Sequence, residues 1–241
     1  MGKRKKINIV DLGKMEYSEA LKIQTRLRDL RVDEKIEDTL LMVEHDPVLT
    51  LGSRGKMENI LVSEEFLKSN GIEVVQLRRG GDVTYHGPGQ IVGYPIVDMK
   101  NYDRDLRRFV QNLKQIFIAM LEDEFNIHAE GKEGDHTGVW LGNEKITAIG
   151  ISVSKMVTMH GFAFNVNTDL NHFKWINPCG FSDKGVTSLE KLMGHSMDMK
   201  KMKKLTVEYY CKMFDVDPQE MDVADLMDIM EGTKNDDYQE A

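Results

Sequence analysis

Apolar and polar positions alternate along this chain between short strand-like runs and longer helical stripes. Leu106, Phe109, Val110, Leu113, Phe117, Met120 and Leu121 recur at three- and four-residue intervals, which predicts an amphipathic helix. Ala20, Leu21, Leu27 and Leu30 give a second stripe and predict a helix over residues 17–30. A last helix is expected over residues 199–214. Between them, apolar runs predict strands at 7–11, 39–44, 73–77, 90–98, 139–141, 145–152 and 157–164. Asp46-Pro47 stops one of these runs, and Gly142-Asn143 supplies a turn between two others. Successive strands joined by short turns favour a mixed sheet over a purely parallel one, so the expected class is α/β with an α+β mixed sheet.

With 241 residues and 41% hydrophobic content, the chain can bury one substantial core. Beyond Phe214 the composition changes. Asp and Glu dominate, Lys234 is the only basic residue, and a short helix is expected over 223–230. The expected organisation is therefore a catalytic unit at 1–214 with an acidic extension at 215–241 appended to it. A net charge of -8 argues against a general nucleic-acid binder. No apolar run approaches the length of a membrane span. The basic opening Met1 to Lys6 precedes an apolar stretch too short for a signal peptide, and Lys6 stands where a myristoylation signal needs Ser or Thr. A cytoplasmic protein is the expectation, and its two cysteines, Cys179 and Cys211, are then reduced thiols. Without a Cys-x-x-Cys or a His-x-x-x-His pair, no metal site is expected.

Two clusters carry candidate chemistry. The first, Arg78-Arg79-Gly80-Gly81-Asp82-Val83-Thr84-Tyr85-His86-Gly87-Pro88-Gly89-Gln90, sets four glycines and a proline between two predicted strands. Such a loop lets a ligand approach the main chain, whose N–H groups can grip an oxygen; the plainer reading is a wide surface turn. The nucleotide-binding pattern G-x-x-x-x-G-K-[ST] is absent. The second cluster, Asn177-Pro178-Cys179-Gly180, holds Cys179 in a turn. Cysteine is more often a buried, inert residue than a nucleophile, and Cys211, within a helical stripe, reads as core. A nucleophilic thiol needs a group that favours the thiolate. Lys145, His45, His86, His136 and His160 are the candidates, each with an ordinary surface or packing role as its alternative.

These motifs together resemble the lipoyl(octanoyl) transferase family. The likeness runs through Glu44-His45-Asp46-Pro47, Arg79 to Gln90 with Tyr94, and Gly138-Val139-Trp140. It continues in Lys145-Ile146 with Ala148-Ile149-Gly150, His160-Gly161 with Asn165-Val166-Asn167, Asn177-Pro178-Cys179-Gly180 and Gly185 to Leu189. It covers residues 7–214 in order and leaves out the acidic tail. The resemblance implies a fold like that of the biotin and lipoate protein ligases, with helices against one face of a mixed sheet and a smaller second sheet. It implies Cys179 and Lys145 as a catalytic pair. Substrate contacts fall on Arg79, Gly80, Gly81, Asp82, Val83, Thr84, Tyr85 and His86, on Ala148, Ile149 and Gly150, and on Gly161, Phe162 and Ala163, with His45 near the pocket. The implied reaction moves an octanoyl group from octanoyl-acyl carrier protein to a lysine of lipoyl domains, in 2-oxoacid dehydrogenase E2 subunits and glycine cleavage H protein, with no cofactor. An ATP-dependent lipoate–protein ligase and a non-catalytic acyl- or carrier-binding module are the alternatives. Because both carrier and enzyme are acidic, docking is expected to use a local basic patch, with Arg104, Arg107 and Arg108 preferred.

Overall fold

Apolar runs bounded by turn residues become the strands, and the helical stripes become the three longest helices. A computed structural model describes residues 4–177 and 185–236. Its strands are β1 (Lys5–Met15), β2 (Thr39–His45), β3 (Val48–Leu51), β4 (Glu73–Gln76), β5 (Val83–His86), β6 (Gln90–Ile96), β7 (Glu130–Lys132), β8 (Gly138–Leu141), β9 (Glu144–Ser154), β10 (Val157–Asn165), β11 (Gly185–Val186) and β12 (Val216–Glu220). Its helices are α1 (Tyr17–Val32), α2 (Glu64–Ser69), α3 (Leu106–Phe125), α4 (Leu189–Met193), α5 (Met199–Phe214) and α6 (Val223–Asp236).

Among the described residues the main sheet has the order β12-β1-β2-β6-β10-β9-β8-β7, with β11 beside β9. β2 and β12 run parallel to β1, and β11 parallel to β9, whereas β6, β10, β9, β8 and β7 pair antiparallel in turn. The sheet is mixed, as its short turns required. Alternate residues face opposite sides. Ile91, Phe162 and Phe164 meet α3 and α5, while Val92, Tyr94 and Ala163 pack with residues of α1 and α6. Helices thus cover both faces, and the expectation of helices on one face is corrected. α3 starts where the Asp105 carboxylate accepts the Arg108 N–H at 2.9 Å and ends at Asn126 in a left-handed turn.

Residues 48–86 leave the main sheet between β2 and β6 and form a second one, ordered β4-β3-β5. Its own core holds Leu49, Leu51, Leu67, Val83 and Tyr85. β5 lies inside the stretch read as a glycine loop. Four alternating residues between glycines are too short a pattern to announce a strand, and its partner β3 lies some thirty residues away.

The acidic tail is not a separate appendage. β12 adds to β1 in parallel, so β1 is not an edge, and Leu226 of α6 is wholly buried among residues of β1, β2 and α1. Arg4 pairs with Asp215 and Asp217 at the surface. No described helix is long and apolar enough to cross a membrane.

Candidate active site

The loop between β4 and β5 closes over β9 and β10 and encloses a cavity of about 240 Å³. In the antiparallel register Ala148 faces Ala163 and Gly150 faces Gly161, so four small residues share one face and leave room above them. Arg79, Gly80, Gly81, Asp82, Val83 and Thr84 form the roof, while His86, Val92, Tyr94, Tyr17 and His160 line the buried side. Roof and floor meet where the Gly80 N–H points to the Ile151 carbonyl at 3.4 Å. A Cβ on Gly150 would lie 2.9 Å from the Gly80 carbonyl oxygen, so a larger residue there would lift the roof. Gly81 takes φ +90°, a conformation that side chains resist.

Lys145, on β9, lines the same cavity, half-buried, with Nζ 4.9 Å from the centre of the Trp140 ring. Its strand neighbour is Val186, and its carbonyl accepts the Thr187 N–H at 3.0 Å. Upstream, Asn177 donates its N–H to the Asn59 carbonyl at 2.8 Å. Cys179, with Pro178 and Gly180, lies outside the described residues. Cys211 is a buried residue of α5, and burial, then Asp217 and Glu220, push its thiol up to about 11. It is a packing residue, as its helical stripe indicated.

Histidines form the other prominent feature. His86 donates from Nδ1 to Gln90 Oε1 at 2.7 Å and stacks on Tyr17 at 5.8 Å. His45 sits behind the cavity wall, donating from Nδ1 to the Met15 carbonyl and accepting the Tyr94 hydroxyl at Nε2, each at 2.8 Å. Burial pulls His45 and His160 down to about 4 and His86 to about 3, so all three are neutral near pH 7. Neither His86 nor His160 resembles the cationic partner a thiolate requires. His136 stands edge-on to Trp140, its ring 5.8 Å away, on the Lys145 side.

Arg79 is an unusual wall residue. Its guanidinium is buried, donates from Nη2 to the Thr50 carbonyl and hydroxyl at 2.8 Å, and from Nη1 to the Gly80 carbonyl at 3.0 Å. Desolvation makes its charge less favourable than usual.

Of the residues read from the motifs, Lys145, Arg79 to Thr84, His86, Ala148 to Gly150 and Gly161 to Ala163 therefore converge on one cavity. Tyr85 does not. It points to the opposite side of β5, packs on Phe173 and Trp175, and bonds His172 at 2.6 Å. His45 is a second-layer residue that holds Tyr94. Tyr17, Arg54, Leu106, Val110 and Thr137 also line the cavity and were missed. They come from four separated segments, and no local pattern links them.

The preferred basic patch is largely neutralised. Arg107 pairs with Glu133 at 3.1 Å and Arg108 with Asp103 at 3.0 Å.

A mixed sheet with this insertion and roofed cavity defines the class of the lipoate and biotin protein ligase fold. The chain is similar in structure to P. falciparum LipL1, solved in complex with lipoate, at TM-score 0.73 and 14% identity, covering 92% of this chain and 67% of that one. Biotin protein ligase from Aquifex aeolicus, with biotin and ATP, gives TM-score 0.53 at 16% identity over 86% of this chain and 70% of that one. In sequence the chain is 56% identical to an octanoyltransferase of Caldicellulosiruptor bescii over 86% of its own length and 91% of the relative's. The model of the lipoyl protein ligase A/B catalytic domain matches residues 16–211. The chain belongs to this family, on its octanoyltransferase side, and is an acyltransferase.

Proposed function

We propose that this acyltransferase moves an octanoyl group from octanoyl-acyl carrier protein to a lysine of a lipoyl domain, through a thioester on Cys179. The observation that carries the reading is the cavity itself. Its floor of small residues and its glycine roof leave a slot for an alkyl chain, with Lys145 on the wall next to the strand that follows the Cys179 segment.

In the first half-reaction the Cys179 thiolate attacks the thioester carbonyl of the donor. The tetrahedral oxyanion collapses and expels the carrier's thiolate, leaving octanoyl on Cys179. One thioester replaces another, so no nucleotide is consumed. In the second, the neutral amine of the acceptor lysine attacks the same carbonyl, Cys179 leaves as thiolate, and the amine's surplus proton passes to Lys145. The amide is more stable than the thioester, which drives transfer forward. The acceptors are lipoyl domains of 2-oxoacid dehydrogenase E2 subunits and glycine cleavage H protein. A nucleotide-dependent ligase, the activity of some relatives in fold, would have no need of Cys179.

Intact-protein mass measurement after incubation with octanoyl-acyl carrier protein and no ATP tests this reading. Wild type and Cys211→Ser should gain one octanoyl group, and Cys179→Ser none. Acyl uptake by Cys179→Ser, or loss of uptake in Cys211→Ser alone, would remove Cys179 from its role.

A further inference from the structure

The loop that leaves β3 carries the two most exposed large apolar side chains of the described residues, Met57 at 54% and Leu61 at 60%. Single exposed apolar residues are ordinary, but two in one loop with cations around them suit a surface that meets another molecule.

Hydrogen bonds fix where this loop lies. Ser53 donates its N–H to the Arg79 carbonyl at 2.9 Å and Arg54 donates its own to the Gly81 carbonyl at 3.3 Å, which ties the loop to the cavity roof. Gly52 permits that closeness, since a Cβ there would lie 2.4 Å from the Gly81 carbonyl oxygen. Further on, Asn59 donates from Nδ2 to the Asp82 carboxylate at 2.7 Å and accepts the Asn177 N–H at its carbonyl. Leu61 donates its N–H to the Trp175 carbonyl at 2.7 Å. Residues 53–61 therefore border both the roof and the chain that runs into Cys179.

The charge of this rim is opposite to that of the whole chain. Arg54, Lys56 and Arg78 are exposed, and Arg54 also lines the cavity. Arg78 joins the rim because its neighbours bond to it on either side, Leu77 through its N–H to the Leu51 carbonyl and Arg79 through its carbonyl to Ser53. The carboxylates here are Glu58 and Asp82, and that of Asp82 accepts the Asn59 amide and the Val83 N–H. Cations thus prevail, in a chain of net charge -8. Unlike Arg107 and Arg108, Lys56 and Arg78 make no ion pair among the described residues.

We infer that this rim, with Arg54, Lys56, Met57, Leu61 and Arg78, is the docking surface for the acidic carrier protein that delivers the acyl thioester. The inference rests on the proposed acyl transfer. The donor holds its thioester on a phosphodiester-linked arm, so carrier and arm are both anions that the rim attracts. The acceptor presents a lysine, a cation that the same rim disfavours. Met57 and Leu61 add apolar surface that contact removes from water.

The test compares octanoyl-acyl carrier protein with octanoyl-pantetheine, which has neither protein nor phosphate, and reads acyl-enzyme formation by intact mass. In wild type the half-saturating concentration of the carrier should rise at least ~3-fold between about 50 and 300 mM salt, and that of octanoyl-pantetheine should not. Lys56→Glu with Arg78→Glu should raise it at least ~10-fold for the carrier, and Met57→Ser with Leu61→Ser at least ~5-fold, with limiting rates little changed. All four residues are exposed and none lines the cavity, so octanoyl-pantetheine should react with both variants as with wild type. A carrier response that is flat in salt, an unchanged value in both variants, or a loss that octanoyl-pantetheine shares would each overturn the inference. So would an equal slowing of transfer from preformed octanoyl-enzyme to a lipoyl domain, which would give the surface to the acceptor. In all these cases normal octanoyl uptake by wild type leaves the acyl-transfer reading standing, whereas a wild type that takes up octanoyl from neither donor overturns both.

Discussion

Lys145 combines a position on the cavity wall with an aromatic neighbour, Trp140, whose ring face suits a cation. The proposed chemistry asks for more than charge, because the acceptor's surplus proton must be taken up. Lys145→Arg keeps the charge and cannot act as a base near neutral pH. Transfer to the acceptor lysine should therefore fall by at least ~100-fold in both Lys145→Arg and Lys145→Ala, the low end of the usual general-base contribution. Retention of most activity by the arginine variant would show that the residue acts by charge alone. At this scale the motifs picked out residues most of which line one cavity, and were less informative about where each points. Thr84 and His86 reach the cavity whereas Tyr85, between them, packs on Trp175. Alternation along β5 decides this, and it is visible only once β5 is known to be a strand.

Among elements, the roof loop and the tail show how differently local sequence reports its surroundings. Gly80-Gly81 announces unusual backbone, and Gly81 has it, at φ +90°. A β-branched residue is poorly suited to that conformation and would also approach Arg79. Gly81→Val should leave the circular dichroism of the sheet intact and lower octanoyl uptake by at least ~10-fold, a loss that repositioning of reacting groups readily produces. A folded Gly81→Val enzyme with normal uptake would show that the roof does not shape the site. The tail gave no such signal, since acidic composition suggested a solvated extension. What composition did not report is that Leu226 is wholly buried in the core beside β1 and α1. Leu226→Ala should lower stability by about 2–5 kcal/mol, as for other buried leucines. A change below ~0.5 kcal/mol in a urea titration would mean that α6 is only loosely docked.

For the molecule as a whole, three neutral buried histidines predict how stability responds to acid. His45, His86 and His160 are held at about 4, 3 and 4 in the fold, against 6.5 when unperturbed. Between those values the unfolded chain binds more protons than the native one, so stability falls as pH drops from 6.5 towards 4 and is independent of these groups above pH 7. Urea midpoints from pH 8 to 4 should trace that decline, and the slope should be shallower in His45→Gln. An equal slope in that variant would assign the decline to other groups.

The sequence by itself determined the strand and helix stripes, because burial on one face requires a periodic apolar pattern that any reader of the chain can see. It also determined the family, through motifs at 44–47, 79–90, 145–150, 160–170 and 177–189. Only the tertiary structure decided that residues 48–86 fold into a second sheet, that the tail closes the main one, and that helices cover both of its faces. Each of these depends on pairings between segments far apart in the chain, and a one-residue change of register would exchange the faces of every side chain involved. The placing of His160 is the sharpest case. Its sequence neighbours do not reveal its orientation, which goes with a left-handed backbone at φ +61° inside a β-strand.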